Sequence, residues 1–322
     1  MKKILKTIVA LIFIIVITYV CYEIYWLFVN NNDEIENNSN KNIIQEETIS
    51  LEPIFTLENY PKVDASLATQ PLTTALIKNF TGEEEISDER LDYTNTHPGY
   101  IRLIDGDVDL LVVTEPSEEE LEYAKNNNVE LEVIPVVREG FVFYVNESNP
   151  VDNLSLEQIQ DIYSGKITNW SGVGGNDEEI RAFQRPENSG SQTGMLSLVM
   201  KDKELMTPPK EDLIDSMFAI INLVSDYDNG INSIGYSYYY YATTMFETID
   251  KSISDRIKLL SVNGISPNNE TIKKEEYPLE TAYYIVIRKD EPENSDTRKL
   301  VDAMLSERGQ AVAEEVGYVG VK

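Results

Sequence analysis

Gln184-Arg185-Pro186-Glu187-Asn188-Ser189-Gly190-Ser191-Gln192-Thr193 leads from Phe183 through Gly194 into the apolar run Met195-Leu196-Ser197-Leu198-Val199-Met200. The pattern predicts a strand that ends, a turn, and a helix that opens at the Ser-Gly-Ser segment. The first N–H groups of a helix have no intrahelical acceptor and carry partial positive charge, so a helix start is a natural seat for an oxyanion. Arg185 adds a fixed, forked charge that matches such an anion. Ser and Asn are also favoured at helix starts for purely structural reasons. The combination of Arg, Ser, Gly and Ser is what makes this turn specific.

Two other strand-to-helix turns have related chemistry. Asp64-Ala65-Ser66-Leu67-Ala68-Thr69-Gln70-Pro71 places Pro71 in a helix's first turn, where its missing N–H costs nothing. Thr94-Asn95-Thr96-His97-Pro98-Gly99 precedes a short helix expected at Tyr100. In open α/β sheets ligands bind where strands end and helices begin. Three such turns meeting at one point would cage an oxyanion with few cationic side chains. That matters here, because the local field of aligned dipoles must outweigh a distant, salt-screened surface charge.

The surface charge is large. Lys and Arg total 27 against 56 Asp and Glu, a formal net charge of −29 in 322 residues. A chain so acidic is not expected to bind nucleic acid, which needs clustered Lys and Arg. With one His and one Cys, no Cys/His zinc site and no intrachain disulfide are expected. No cofactor is expected either.

The body, from about residue 51, alternates short apolar strands with helical stretches. Strands are expected from Val63, at residues 108–113, 133–137 and 141–145. Helices are expected at 71–80, with Leu72, Ala75, Leu76 and Phe80 on one face, and at 100–104, 118–126 and 155–164. Ser155, with Glu157 and Gln158 behind it, has the pattern of a helix start. Alternation of this kind predicts an α/β fold with largely parallel sheets. The Tyr-rich run at 236–241 reads as a strand running into a loop or helix. The acidic runs Glu83-Glu84-Glu85 and Glu118-Glu119-Glu120 read as solvated helix faces, and Trp170 as a packing residue.

At the N-terminus Lys2, Lys3 and Lys6 precede an uncharged run over 7–22, and apolar character resumes at 24–29. Basic residues before and acidic residues after orient the body outward. An uncleaved membrane anchor over residues 1–30 fits best, with Tyr19, Tyr22, Tyr25 and Trp26 at an interface. A lipoprotein acylated at Cys21 and a cleaved signal peptide are the alternatives. Residues 31–50 are polar and Asn-rich, and read as a flexible linker.

The stretch from Gln184 to Thr193 resembles the anion-binding loop of the phosphate-binding proteins of ABC importers, the PstS kind, in the type 2 periplasmic-binding-protein superfamily. The run Leu156-Glu157-Gln158-Ile159-Gln160-Asp161-Ile162-Tyr163-Ser164-Gly165-Lys166-Ile167-Thr168-Asn169-Trp170 is similar to the helix and turn upstream of that loop. Ile234-Gly235-Tyr236-Ser237-Tyr238 and Tyr277-Pro278-Leu279 are further matches. The resemblance spans roughly residues 60–320.

It implies a two-lobed α/β solute-binding fold with a hinge between the lobes, preceded by an N-terminal membrane-anchor helix. Lobe 1 would hold residues 51–146 and 241–322, and lobe 2 residues 147–240. Motif by motif, it implies anion contacts at Thr69 and Gln70, at Thr96, and at Arg185, Ser189, Gly190 and Ser191. Where the family carries an Asp that accepts the proton of hydrogen phosphate, this chain has Thr114, followed by Glu115. The implied partners are phosphate or another oxyanion, ABC permease subunits and, through the N-terminus, a membrane. A monomer is expected.

Enzymatic activity is the less favoured reading. The nucleophile-elbow pattern is absent around Ser191, His97 is the only candidate base, and no phosphate-binding P-loop occurs. A surface sensor or adhesin on the same fold would share every feature above, since fold does not fix function.

Overall fold

The computed structural model describes residues 52–86, 90–227 and 230–322. The anchor, Cys21 and linker expectations lie outside these residues, and among the described residues no helix is long and apolar enough to cross a membrane. In chain order, strand β1 (Val63–Ala65) leads to helix α1 (Gln70–Thr81), β2 (Leu91–Asp92) to α2 (Thr96–Asp105), and β3 (Leu110–Val113) to α3 (Glu118–Asn126). Then come β4 (Leu131–Asn146), β5 (Asn153–Leu154), α4 (Leu156–Tyr163), β6 (Arg181–Ala182), α5 (Gly190–Gly194) and α6 (Met217–Ser225). The chain closes with β7 (Ser233–Tyr238), α7 (Phe246–Ser254), β8 (Ile257–Leu259), β9 (Ser261–Val262), α8 (Asn269–Lys273), β10 (Glu280–Arg288), α9 (Asp296–Leu305), α10 (Glu307–Glu315) and β11 (Val319–Gly320).

Local chemistry explains most of these boundaries. Leu72, Leu76 and Phe80 recur every fourth residue, so α1 buries one stripe, and Ile77 joins it. Gly82, in the left-handed conformation, ends the helix. Ser117 and Glu120 close a reciprocal capping box at α3, as do Ser155 and Gln158 at α4. Every residue of β3 is buried, as expected of a strand covered on both faces. Trp170 packs in the core and donates from Nε1 to the Asn232 carbonyl at 2.8 Å.

The main sheet runs β2-β1-β3-β10-β4-β7-β6, with β11 and β8 also pairing to β4. Its outer pairs, β1 with β2 and β3, and β6 with β7, are parallel. Its centre is antiparallel: β10 lies between β3 and β4, and β7 and β8 pair with β4. The largely parallel sheet expected from alternation is therefore a mixed one.

The two strands expected at 133–137 and 141–145 are one strand, β4, of 16 residues. Its first part, to Gly140, pairs with β10, and its last part, from Phe141, pairs with β7 and β8. Pro135 is tolerated within it because the register shifts there, between Tyr283 and Tyr284 of β10. The second helix starts at Thr96 rather than Tyr100, with Pro98 in its first turn. Glu118 and Glu119 are exposed, but Glu120 is fully buried. It caps α3 and meets His97 Nδ1 at 3.0 Å.

Where β4 changes partners, Glu139 is buried without a cation. It accepts from the Gly140 N–H at 2.8 Å and from the Tyr240 N–H at 3.2 Å, which caps the helical stretch that follows β7. Burial pushes its carboxyl up to about 8, against the lowering effect of these backbone donors. Between about pH 4.5 and 8 the folded protein thus holds a proton that the unfolded chain releases. Stability falls as pH rises through that window, by at most about 1.4 kcal/mol per unit, and levels above it. Glu139→Gln keeps an acceptor for both N–H groups. Thermal melts at pH 5 and pH 8.5 should show a marked fall in Tm for the wild type and a much smaller one for the variant. Equal falls would show that Glu139 does not titrate in this way.

Candidate anion-binding site

A cavity of about 360 Å³ lies where the two halves of the sheet face each other. From the first half, its lining includes Ser66, Leu67 and Ala68 before α1, Thr94 to Pro98 at the start of α2, and Thr114 after β3. From the second half it includes Arg185, the segment from Glu187 to Ser191 at the start of α5, and Asp215 to Phe218 at the start of α6. Tyr238, Tyr241 and Tyr283 complete the wall. Four helical starts therefore open on one space, and their leading N–H groups have no intrahelical acceptors.

The first two turns are held together by Asp64. Its carboxylate is fully buried and accepts from the Ala65 N–H at 2.8 Å, the Thr94 N–H at 2.9 Å and the Thr94 hydroxyl at 2.5 Å. Arg102 Nη1 closes the set at 2.6 Å. With every oxygen occupied, the carboxylate works as a fastener between the β1 and β2 turns and is not left to repel an anion. Asn95 follows in a conformation essentially reserved for glycine, with φ 73° and ψ 178°. Strain of about 1–3 kcal/mol of this kind persists only where surrounding contacts enforce it, and it clusters at ligand sites. Tyr318 adds a second fastener by donating to the Ala68 carbonyl at 2.7 Å while stacking on Tyr240.

Arg185 is the cation of the site. Its Nη1 donates to Ser191 Oγ at 3.3 Å and its Nη2 to the Asp215 carbonyl at 2.8 Å. Its Nε is buried without a partner, and no carboxylate ion-pairs with it among the described residues. Burial lowers its pKa, and the hydroxyls of Tyr236, Tyr144 and Tyr241 and the carboxylate of Asp215 oppose that; arginine stays charged regardless. Arg102, Arg138, Arg181 and Arg298, by contrast, all ion-pair with carboxylates. A half-buried guanidinium whose Nε is buried without a partner has donor capacity left for an anion.

Thr114 is the second unsatisfied group. It is 3% exposed, and its Oγ1 has no hydrogen-bond partner; the nearby Tyr238 hydroxyl donates to the Gly190 carbonyl at 3.0 Å. Gly190 faces it closely. A Cβ at Gly190 would stand 2.4 Å from Thr114 Oγ1 and 2.7 Å from Thr96 Oγ1. Only glycine lets the start of α5 approach both hydroxyls. Two hydrogen bonds beside the cavity, Ser197 to Glu115 and Asn188 to Glu119, also link the halves. Glu115 is thereby turned to Ser197, is not part of the cavity lining, and does not take the place of the family's Asp.

Of the residues implicated by sequence, Thr96, Thr114, Arg185, Ser189, Gly190 and Ser191 line the one cavity. Thr69 and Gln70 do not. The Thr69 hydroxyl is fully buried and donates to the Val112 carbonyl at 2.5 Å, so it braces the turn, and Ser66, Leu67 and Ala68 face the cavity instead. The α6 start was missed, although Ser216 before the apolar run from Met217 is a readable cap. The three tyrosines come together only through tertiary packing.

This is a two-lobed α/β architecture with a cleft between its halves, and the chain belongs to the family described as the PBP superfamily domain, whose model matches residues 61–308. Among curated relatives it is similar to the phosphate-binding protein PstS of Staphylococcus aureus strain COL, at 25% identity over 268 residues, covering 82% of this chain and 79% of that one. In fold it is similar to a putative phosphate ABC transporter substrate-binding protein with bound phosphate from Clostridium perfringens. That match has a TM-score of 0.63 at 24% identity, over 81% of this chain and 98% of that chain. An ABC-type phosphate transport receptor from Vibrio cholerae gives 0.60 at 23% identity, over 80% and 98%.

Gly190→Ala should weaken anion binding at least tenfold in calorimetry while leaving the far-ultraviolet circular dichroism unchanged. Unaltered affinity would show that the close approach of α5 to Thr96 and Thr114 is not needed for binding.

Proposed function

We propose that this protein is a receptor that captures a tetrahedral oxyanion, inorganic phosphate foremost, between its lobes and delivers it to the permease of an ABC importer. The observation that carries this is Arg185, half-buried, with a buried Nε that has no partner and hydrogen bonds that go only to neutral groups, at the meeting point of helical starts from both halves. The phosphate-binding names of the relatives point the same way. Lobe 1 is proposed as residues 51–146 with 241–322, and lobe 2 as 147–240. The pairing of β8 and β9 with the end of β4 and with β5 favours moving the second boundary to about residue 262. The role is binding rather than catalysis. His97 is tied to the capping carboxylate Glu120 and is not hydrogen-bonded to Ser191. The N-terminal segment is proposed to anchor a monomer with its body outside the membrane.

Thr114 bears on selectivity. A carboxylate at its position would accept the proton of hydrogen phosphate and repel sulfate; a hydroxyl can do the first but not the second. Calorimetric titration of the detergent-purified full chain should show phosphate binding, with sulfate competing measurably. Arg185→Ala should weaken phosphate binding by about 2–5 kcal/mol, the usual cost of removing one member of a buried charge pair. Heat from neither anion would sink the phosphate reading. Unchanged affinity in the Arg185 variant would move the site elsewhere.

A further inference from the structure

Five buried side-chain polar atoms among the described residues have no hydrogen-bond partner, and three of them belong to residues of this one lining: Arg185 Nε, Thr114 Oγ1 and the hydroxyl of Tyr283. Folded proteins pair nearly all such groups, so an orphan calls for a reason, and a ligand is one. Sequence implicates Arg185 and Thr114. It does not implicate Tyr283, which lies on β10, away from the helical starts.

The sheet explains how Tyr283 reaches the site. β10 runs antiparallel to β3 with Tyr284 opposite Val113, so the next pair along sets Tyr283 opposite Thr114. On the other side Tyr283 pairs with Val137 and Tyr284 with Pro135, which leaves Val136 as an extra residue on β4. Irregularities of this kind twist a sheet locally and re-aim side chains beside binding sites. The Tyr283 ring is fully buried, with the ring centroids of Tyr238 and Tyr318 at 5.3 Å and 6.3 Å. The hydroxyls of those two neighbours donate to the Gly190 and Ala68 carbonyls, and only that of Tyr283 is left over. Burial, with Glu139 nearby, holds it well above the usual phenol range, so it stays protonated and keeps a hydrogen to donate.

We propose that Tyr283 is an anion ligand, its hydroxyl donating to an unprotonated oxygen of the bound anion beside Thr114, with Arg185 reaching the same anion from the other half. This rests on the oxyanion reading of the cavity and adds to it a donor that comes from a strand instead of a turn. A neutral donor strengthens anion binding without adding charge. It serves phosphate and sulfate alike, because each presents an oxygen that carries no proton.

The test is calorimetric titration of the detergent-purified full chain with phosphate and with sulfate, for the wild type, Tyr283→Phe and Tyr60→Phe, together with a melt of each without anion. Tyr60 is the control, since its hydroxyl is also buried without a partner but lies outside the cavity lining. Tyr283→Phe should weaken both anions about tenfold, the scale of one lost hydrogen bond to a charged group. Its Tm without anion should match or exceed that of the wild type, because phenylalanine keeps the ring and removes an unsatisfied group. Tyr60→Phe should leave both affinities as they are. Unchanged affinities in Tyr283→Phe would overturn the proposal and leave the receptor reading intact. Weakening of phosphate alone would overturn the donor role. A Tm several degrees lower would show that the hydroxyl serves the fold, and would overturn the proposal too. Heat from neither anion in the wild type would overturn both readings.

Discussion

Strand β4 is the backbone that both halves of the molecule share, and the cleft geometry follows from it. Its N-terminal part is locked between β10 and β11, and its C-terminal part between β7 and β8. Each half is therefore a rigid extension of the same strand, so the angle between them is set over a few residues around Gly140. A buried carboxylate stands at that point, bonded to the backbone of β4 and to the helical stretch after β7. Side chains from the two halves can meet across the cleft with accuracy because the connection is a continuous ladder and not a loose linker.

The site solves an electrostatic problem set by composition. A chain with a net charge of −29 would hold an anion only where local groups outweigh that charge. The cavity offers one guanidinium, hydroxyls and helical starts for the proposed anion, with Glu187 and Asp215 also in its wall. Asp64, the one carboxylate buried beneath the first two turns, is neutralised by Arg102 and further hydrogen bonds. Glu120 is similarly engaged by His97 and by the N-terminus of α3. These two buried carboxylates thus serve to fix loops, while Arg185 has no ion pair among the described residues and feels Asp215 at the cavity wall.

Much of this was legible in the sequence where the determining interaction is local. The bounds of α3 follow from the Ser117 and Glu120 pair, and the start of α5 from Ser189 ahead of Gly190 and Ser191. What could not be read depends on facing. Ser66 and Thr69 are three residues apart on one turn, and which hydroxyl looks into the cleft depends on where the turn begins. Thr69 turns to Val112, which no local pattern announces. The two strands expected at 133–137 and 141–145 leave out the polar Arg138-Glu139-Gly140 segment, which the structure keeps within β4. A register shift absorbs the proline, and Glu139 is accommodated by backbone N–H donors and by holding a proton up to about pH 8. Tyr238, Tyr241 and Tyr283 reach the cavity from distant elements, so only the assembled fold brings them together.

The place of β10 in the sheet has a consequence for the order in which the molecule can be made. Residues 280–288 insert between β3 and β4, both of which are complete by residue 146. A chain emerging from the ribosome therefore exposes two unsatisfied strand edges for about half its length, with no native partner yet synthesised. The usual sequence, in which an N-terminal domain folds first and later ones follow, is closed to the first half here. Only the second half can assemble from segments already in hand. A chain that stays open until nearly its last residues have been delivered is one that can be threaded across a barrier before it folds.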